Sequence, residues 1–558
     1  MNKTYIRAMS AAACAALLAA CTTGNVLSVK DLNNPDVARA YSTPAGVEGL
    51  IGSLYQQFNN GWNTTNDEAA ADAMSSQTFS TVANFCMNTR DAVPAAPIIN
   101  DRGNSCDSGN LADFSNFQKL ARNASNLVLA LDGIVTAGGT TGTPAQDARD
   151  RGFALFVDGI SLGMTAMTYD SGAVVTPQVG AAVIPPLSGY QTLMTAALAQ
   201  IDSAIAVGGG AAAAAAYPLP VSWVNSTGVN ANSVLTQAQF VQFARSWKAR
   251  LRANVARTPA ERAAVDWTSV IADATAGITA DIIVQMTSAW KCSYDCSTMY
   301  SSNGWHEMSP LIIGMADTSG AYNTFISTPF ATRDGSQMLI QTPDQRFPQG
   351  ATRQLQNADT PYAPPTTSFK AGRYLDNRNS SDDFSGAGYG SSMYDHKRWL
   401  AIFKATGVGP KTDFSFGENE MLIAEGQIYK GNLAAAQTLI DASRAAHGLP
   451  SIGAIATTST LIQGGAAGCV PRVPNSTDSG TQCGTIIEAM KWEKRMETAY
   501  TTFAPWWLDG RGWGDLIQGM PLEWPVPNEE MDSRQEPFYN LGGIGGTMSA
   551  AKGTYGFP

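Results

Sequence analysis

Apolar residues recur at steps of three and four along most of the first half of this chain and again after Glu418, and between Ile282 and Phe414 that rhythm disappears. Such spacing lays one apolar stripe along a helix and requires a neighbour to cover it. Val47, Leu50, Ile51, Leu54 and Tyr55 form one stripe, and Phe117, Leu120, Ala124, Leu127, Leu131 and Ile134 a longer one. Ala148 to Tyr169 is apolar on nearly all sides apart from Asp158 and its charged start, which predicts a helix inside a stack. Tyr190, Leu193, Ala197, Ile201 and Ile205 mark another helix, followed by Gly208 to Gly210 and the six alanines Ala211 to Ala216, expected as a loop or frayed end before Pro218. Phe240, Phe243, Trp247 and Leu251 mark a further helix, with Trp267 to Ile278 as its antiparallel partner.

The stretch from Ile282 to Phe414 is rich in Gly, Ser, Asn, Asp, Pro and aromatics and predicts long ordered loops with short strands. Periodicity returns over Glu418 to Tyr429, breaks at Gly431-Asn432 and resumes through Ala446. This helix, glycine turn and helix approximate a tetratricopeptide unit of about 34 residues, with Ala424, Gly431, Ala436 and Ile440 at the small, turn, small and large positions.

The N-terminus predicts export. Lys3 and Arg7 precede a short apolar run ending Leu18-Ala19-Ala20-Cys21, the pattern of a secretory signal peptide. That ending resembles a bacterial lipobox, which implies cleavage before Cys21 and a diacylglycerol on its thiol. No later stretch approaches the roughly 20 apolar residues of a membrane-spanning helix.

Charged residues make up 15% of the chain, and the net charge of -10 comes without any Lys/Arg cluster. These features argue against nucleic acid and against anionic headgroups as partners. Twelve Trp, twenty Phe and seventeen Tyr exceed what a core needs, which leaves aromatic area for the surface. Of eight cysteines, Cys14 belongs to the signal and Cys21 to the lipid site. Six remain as three local pairs, Cys86 with Cys106, Cys292 with Cys296 and Cys469 with Cys483, read as disulfides in an oxidising compartment. Zinc spacing is missing, and the histidines are only His306, His396 and His447.

Several segments resemble the SusD/RagB family of nutrient-uptake outer-membrane lipoproteins. Asp31-Leu32-Asn33-Asn34-Pro35 is similar to the family's mature start, and Asp266-Trp267 with Val270-Ile271-Ala272-Asp273-Ala274 to its middle hairpin. Glu418 to Pro450, with Glu420-Met421, Ala424-Glu425 and the closing Arg444 to Pro450, looks like its last helical repeat. Ile486 to Leu516, carrying Glu493, Arg495, Glu497, Gly510, Trp513, Asp515 and Leu516, resembles its C-terminal helix, and Trp524-Pro525-Val526-Pro527 with Glu530-Met531 its closing segment. The match departs at Thr501 to Leu508, an insertion before Gly510, and at Gly512, where the family usually has Arg. Glu493, Arg495, Glu497 and Asp515 read as ion-pairing residues that hold the C-terminal helix and its turn.

The resemblance implies a mainly α fold of tetratricopeptide-like hairpins in a right-handed helical scaffold, with a long irregular region carrying a few short strands. It divides the chain into a signal peptide (1-20), a lipidated tether (21-45), an N-terminal helical part (46-281), a loop-rich ligand-binding region (282-415) and a C-terminal repeat with its extension (416-558). No catalytic set is visible. Paired carboxylates cannot be placed from scattered acids such as Asp382 and Asp383, and no histidine sits in a Gly-x-Ser-x-Gly elbow; His447 reads as a helix C-cap.

Binding is what the residues suggest. Trp290, Tyr294, Tyr300 and Trp305 crowd a polar, cysteine-bearing loop without helical or alternating period, and flat rings flanked by amides and acids suit sugar faces and hydroxyls. The family's aromatic arc carries over to this loop and to Trp62, Phe85 and Asn88. The expectation is a lipid-anchored, surface-exposed outer-membrane protein that binds an oligomeric nutrient, chiefly a glycan, and delivers it to a SusC-like TonB-dependent transporter, without a cofactor. The alternatives are a surface glycoside hydrolase or polysaccharide lyase, and an attachment protein that binds protein partners.

Overall fold

The structure, a computed structural model, describes residues 41–62, 66–80, 86–104, 110–226, 235–292, 307–359, 373–378, 388–463, 465, 469–477 and 479–543. It is mainly helical, with few short strands. The helices of nine residues or more are α1 (Pro44–Gly52), α2 (Leu54–Trp62), α3 (Asn66–Met74), α4 (Asn110–Thr136), α5 (Pro144–Thr168), α6 (Tyr190–Gly208), α7 (Gln237–Asn254), α8 (Trp267–Thr275), α9 (Phe416–Tyr429), α10 (Leu433–Ala446), α11 (Ile486–Thr498) and α12 (Pro505–Trp513).

Their starts are written in the sequence. Thr143 accepts from the backbone of Gln146 just ahead of Pro144, and Thr236 and Gln239 form a reciprocal capping box at the head of α7. Both devices satisfy backbone donors that the first turn leaves unpaired. Neighbours in sequence pack on one another: α4 on α5, α5 on α6, α6 on α7, α7 on α8, α8 on α9, α9 on both α10 and α11.

The tightest contact, between α5 and α6, follows from glycines. A Cβ on Gly152 would lie 2.5 Å from the Cα of Gly208, one on Gly159 2.5 Å from Cγ1 of Ile201, and one on Gly163 2.6 Å from Cδ2 of Leu251 in α7. Small residues on one face of α5 thus let two helices approach its backbone, and α5 is buried from Gly152 to its end. Gly431, at φ +77°, makes the turn between α9 and α10. The alanine run Ala211–Ala216, expected as a loop or frayed end, is a 3-10 helix packed against α5.

The irregular region is closed at its base. Ile282–Met286 pairs antiparallel with Gly409–Phe414, from Ile282 opposite Phe414 to Met286 opposite Gly409, so the chain leaves the helical stack and returns at one point. The other strand pairs are two or three residues long.

Buried ion pairs lock the C-terminal helices to the rest. The Arg262 guanidinium donates to both oxygens of Glu425 at 2.7 and 2.6 Å and to Asp509 at 3.0 Å; Asp509 also accepts from Lys494 at 2.7 Å, and Trp513 Nε1 donates to Glu425 at 2.7 Å. Arg346 binds Asp344 at 2.8 Å, Glu493 at 3.0 Å and Glu497 at 3.4 Å. Arg495 and Lys491 meet Asp515 at 2.6 and 3.1 Å. Glu493, Arg495, Glu497 and Asp515 are therefore internal cross-links, as their positions suggested. His447 is the C-cap of α10, and its Nε2 lies 3.0 Å from Glu497. The departing segment Thr501 to Leu508 is buried throughout and puts Phe503, Trp506 and Trp507 in the core.

Candidate functional site

α2 turns Tyr55, Phe58 and Trp62 into the core and leaves amides on its other side. Gln56 Nε2 and Asn60 Nδ2 both donate to the carbonyl of Ala289, at 2.7 and 2.9 Å, and the amide of Lys291 donates to Asn60 Oδ1 at 2.9 Å. The turn from Thr287 to Trp290 is thereby clamped to α2, and it is closed by the Thr287 amide donating to the Trp290 carbonyl at 3.0 Å and the Trp290 amide donating to Thr287 Oγ1 at 3.2 Å.

This geometry corrects the expectation for two of the tryptophans. Trp290 is 5% exposed, with its ring centroid 6.4 Å from Tyr55, and Trp62 is 2% exposed, with the Lys411 ammonium 4.6 Å from its ring centroid. Both fill the junction between α2 and the irregular region, and neither offers a face to a ligand. Every described tryptophan is buried, so the tryptophan area among the described residues is taken up by packing. Tyr294, Tyr300, Trp305 and Phe85 lie outside the described residues, as do Cys21, Cys106 and Cys296. Cys469 and Cys483 are joined. Cys86 and Cys292 are each disulfide-bonded, to partners outside the described residues.

Beside the clamped turn, α2 and α4 enclose a groove of about 370 Å³ lined by Gln57, Asn60, Gly61, Asn116, Lys119, Leu120 and Asn123. A volume of this order suits a small ligand. Gly61 sets the spacing: its added Cβ would stand 3.3 Å from Cβ of Asn116, whose amide donates to the Gly61 carbonyl at 3.1 Å.

A second feature lies where the chain returns to the described structure. Thr78–Phe79 pairs with Glu307–Met308, and Phe79 packs edge-on against Tyr389 at 5.7 Å, which in turn sits 4.6 Å from Phe330. Tyr389 and Phe330 are both part-exposed. Gly390 makes the arrangement possible, since a Cβ there would fall 2.0 Å from the Phe79 ring. The Tyr389 hydroxyl donates to the carbonyl of Asp91, just past the short helix Met87–Arg90 that carries the exposed Asn88. Burial pushes the Asp91 carboxyl up to about 8, while the amide of Ser80 donates to it at 2.8 Å.

The structure thus joins Asn88's helix to an aromatic shelf of Phe330 and Tyr389. Neither ring was picked out from sequence, because no periodicity links them. The available signal was Gly388-Tyr389-Gly390, an aromatic between two residues that leave its ring uncrowded. Part-exposed rings offer stacking to the faces of a hydroxylated ligand, and the exposed Asn88 lies one helical turn before Asp91, the residue that Tyr389 bonds. Among the described residues no group of three or more His, Cys, Asp or Glu is placed to hold a metal ion, and no helix is long and apolar enough to cross a membrane.

The class defined by this fold is a helical-hairpin scaffold that carries an irregular, aromatic-bearing excursion on its face. Its architecture is that of SusD superfamily proteins. The chain is similar to a SusD superfamily protein from Bacteroides vulgatus, at TM-score 0.54 and 12% identity, covering 88% of this chain and 97% of that one. It is similar to a SusD-like protein from Bacteroides fragilis, at TM-score 0.53 and 12% identity over 91% and 98% of the two chains. A SusD superfamily protein from Bacteroides thetaiotaomicron matches at TM-score 0.50 and 13% identity over 90% and 98%. No family model matches the sequence, and no curated protein matches it.

Proposed function

We propose that this chain is a lipid-anchored outer-membrane protein of SusD/RagB type that binds an oligomeric nutrient, chiefly a glycan, and hands it to a SusC-like TonB-dependent transporter. The observation that carries the reading is the part-exposed shelf of Phe330 and Tyr389, set on a fold shared with SusD superfamily proteins along nearly their whole length. The Leu18-Ala19-Ala20-Cys21 ending supports the anchor. Selection rests on contacts, so no turnover and no cofactor are needed.

The test is calorimetric titration with a panel of neutral and charged oligosaccharides, beside Tyr389→Ala and Phe330→Ala. Aromatic anchors in small interfaces contribute about 2 kcal/mol or more each, so each variant should lose binding while still giving a folded, cooperative melt. Unchanged affinity for every ligand that binds would remove the shelf from the site. Release of shortened products on incubation would instead establish a surface hydrolase or lyase.

A further inference from the structure

The groove between α2 and α4 differs from the rest of the molecule in its charge. The chain carries a net charge of -10, yet no carboxylate lines this groove. Lys119 lies in its wall, exposed on α4, and the backbone amide of the exposed Lys291 bonds Asn60, one of the groove's lining residues. Among the described residues neither lysine has a carboxylate within ion-pairing distance. The buried Lys491 and Lys494, by contrast, are matched to acids.

Around these cations the amides are partly committed. Asn60 is held by the 289–291 turn and the Nδ2 of Asn116 by Gly61, which leaves Oδ1 of Asn116, Oε1 of Gln57 and the whole amide of Asn123 to face the groove. Carbonyl oxygens accept from hydroxyls, an amide N–H₂ donates to them, and an ammonium selects a negative charge.

We infer that this groove takes an acidic saccharide unit, with a carboxylate or sulfate drawn to Lys119 and Lys291 and hydroxyls bonded by Gln57, Asn116 and Asn123. The inference rests on the glycan-binding reading and adds the charge of the ligand. In a molecule that is otherwise negative, an anionic ligand is repelled elsewhere and gathered here, so the groove supplies orientation as well as affinity.

The experiment titrates the full chain with oligogalacturonate, with a sulfated galactan oligosaccharide and with the unsulfated galactan, in wild type, Lys119→Gln/Lys291→Gln, Asn123→Ala and Tyr389→Ala. The expected result is binding of at least one anionic oligosaccharide about fivefold or more tighter than of the neutral one, lost in the double lysine variant and weakened in Asn123→Ala. The two anionic arms separate a carboxylate from a sulfate ligand. Equal binding of neutral and charged oligosaccharides, or an unchanged affinity in Lys119→Gln/Lys291→Gln, overturns the inference, as does failure of both anionic ligands to bind. Neutral-glycan binding that Tyr389→Ala abolishes and the lysine variant leaves intact would sink this inference alone and leave the glycan-binding reading standing.

Discussion

Two buried titratable groups place opposite demands on pH. His396 is 3% exposed, and neither ring nitrogen has a protein partner among the described residues; it packs against Tyr500 at 4.9 Å. Burial, helped by the nearby Arg398, holds its pKa well below the usual imidazole value. The unfolded chain therefore takes up this proton first, and stability falls as pH drops below about 6.5. Asp158, fully buried in α5 with Ser125 donating to it at 3.2 Å, is raised well above the ordinary carboxylate range by burial. Its contribution is present below about pH 3.9 and lost as pH rises through the folded value. His396→Phe should accordingly flatten the acid side of a melting-temperature profile, and Asp158→Asn should raise the melting temperature at pH 7 to 8. A profile that keeps its acid slope in His396→Phe would assign that slope to other groups.

Among the elements, α11 shows what a buried helix with many charges requires. Lys491, Glu493, Lys494, Arg495 and Glu497 are all buried, and each meets an opposite charge. Removing one partner of such a pair strands the other, at a cost of about 3 to 5 kcal/mol. Arg262→Ala and Arg346→Ala should each show that loss in urea melts, whereas Arg102→Ala at the exposed pair with Asp532 should leave the urea midpoint unchanged. On α5, Gly159→Ala forces a Cβ into Ile201 and should cost about 1 to 3 kcal/mol through overpacking. The Cys469–Cys483 bridge closes a loop of 14 residues and is expected to contribute about 3 kcal/mol, measurable as a lowered denaturation midpoint in the double alanine variant.

At the scale of the whole molecule, much of the helical order could be read from the chain, because each stripe is local and each cap lies within three residues of its helix. The role of Glu493 and its neighbours was legible for a related reason: several charges on a helix that otherwise reads as core must find partners. The site was less legible. Trp290 and Trp62 sit among loop-forming residues, yet clamping by Gln56 and Asn60 turns both rings inward, and that contact spans more than two hundred positions. Phe330, Tyr389 and Lys119 are joined to their neighbours only by tertiary packing, which no local pattern records. The expected anchoring belongs to this scale as well: Cys21→Ser should leave the outer-membrane fraction, because stable attachment needs more than one acyl chain. A Cys21→Ser protein that still sediments with membranes would mean that another contact holds it.

The ion pairs described above join residues made early to residues made late. Arg250 waits for Glu418, Arg262 for Glu425 and Asp509, and Arg346 for Glu493 and Glu497. A chain that emerges N-terminus first must carry these guanidinium groups in water until α9, α11 and α12 arrive, since burying them alone is prohibitively costly. Docking of these C-terminal helices is therefore the step that takes the guanidinium groups out of water.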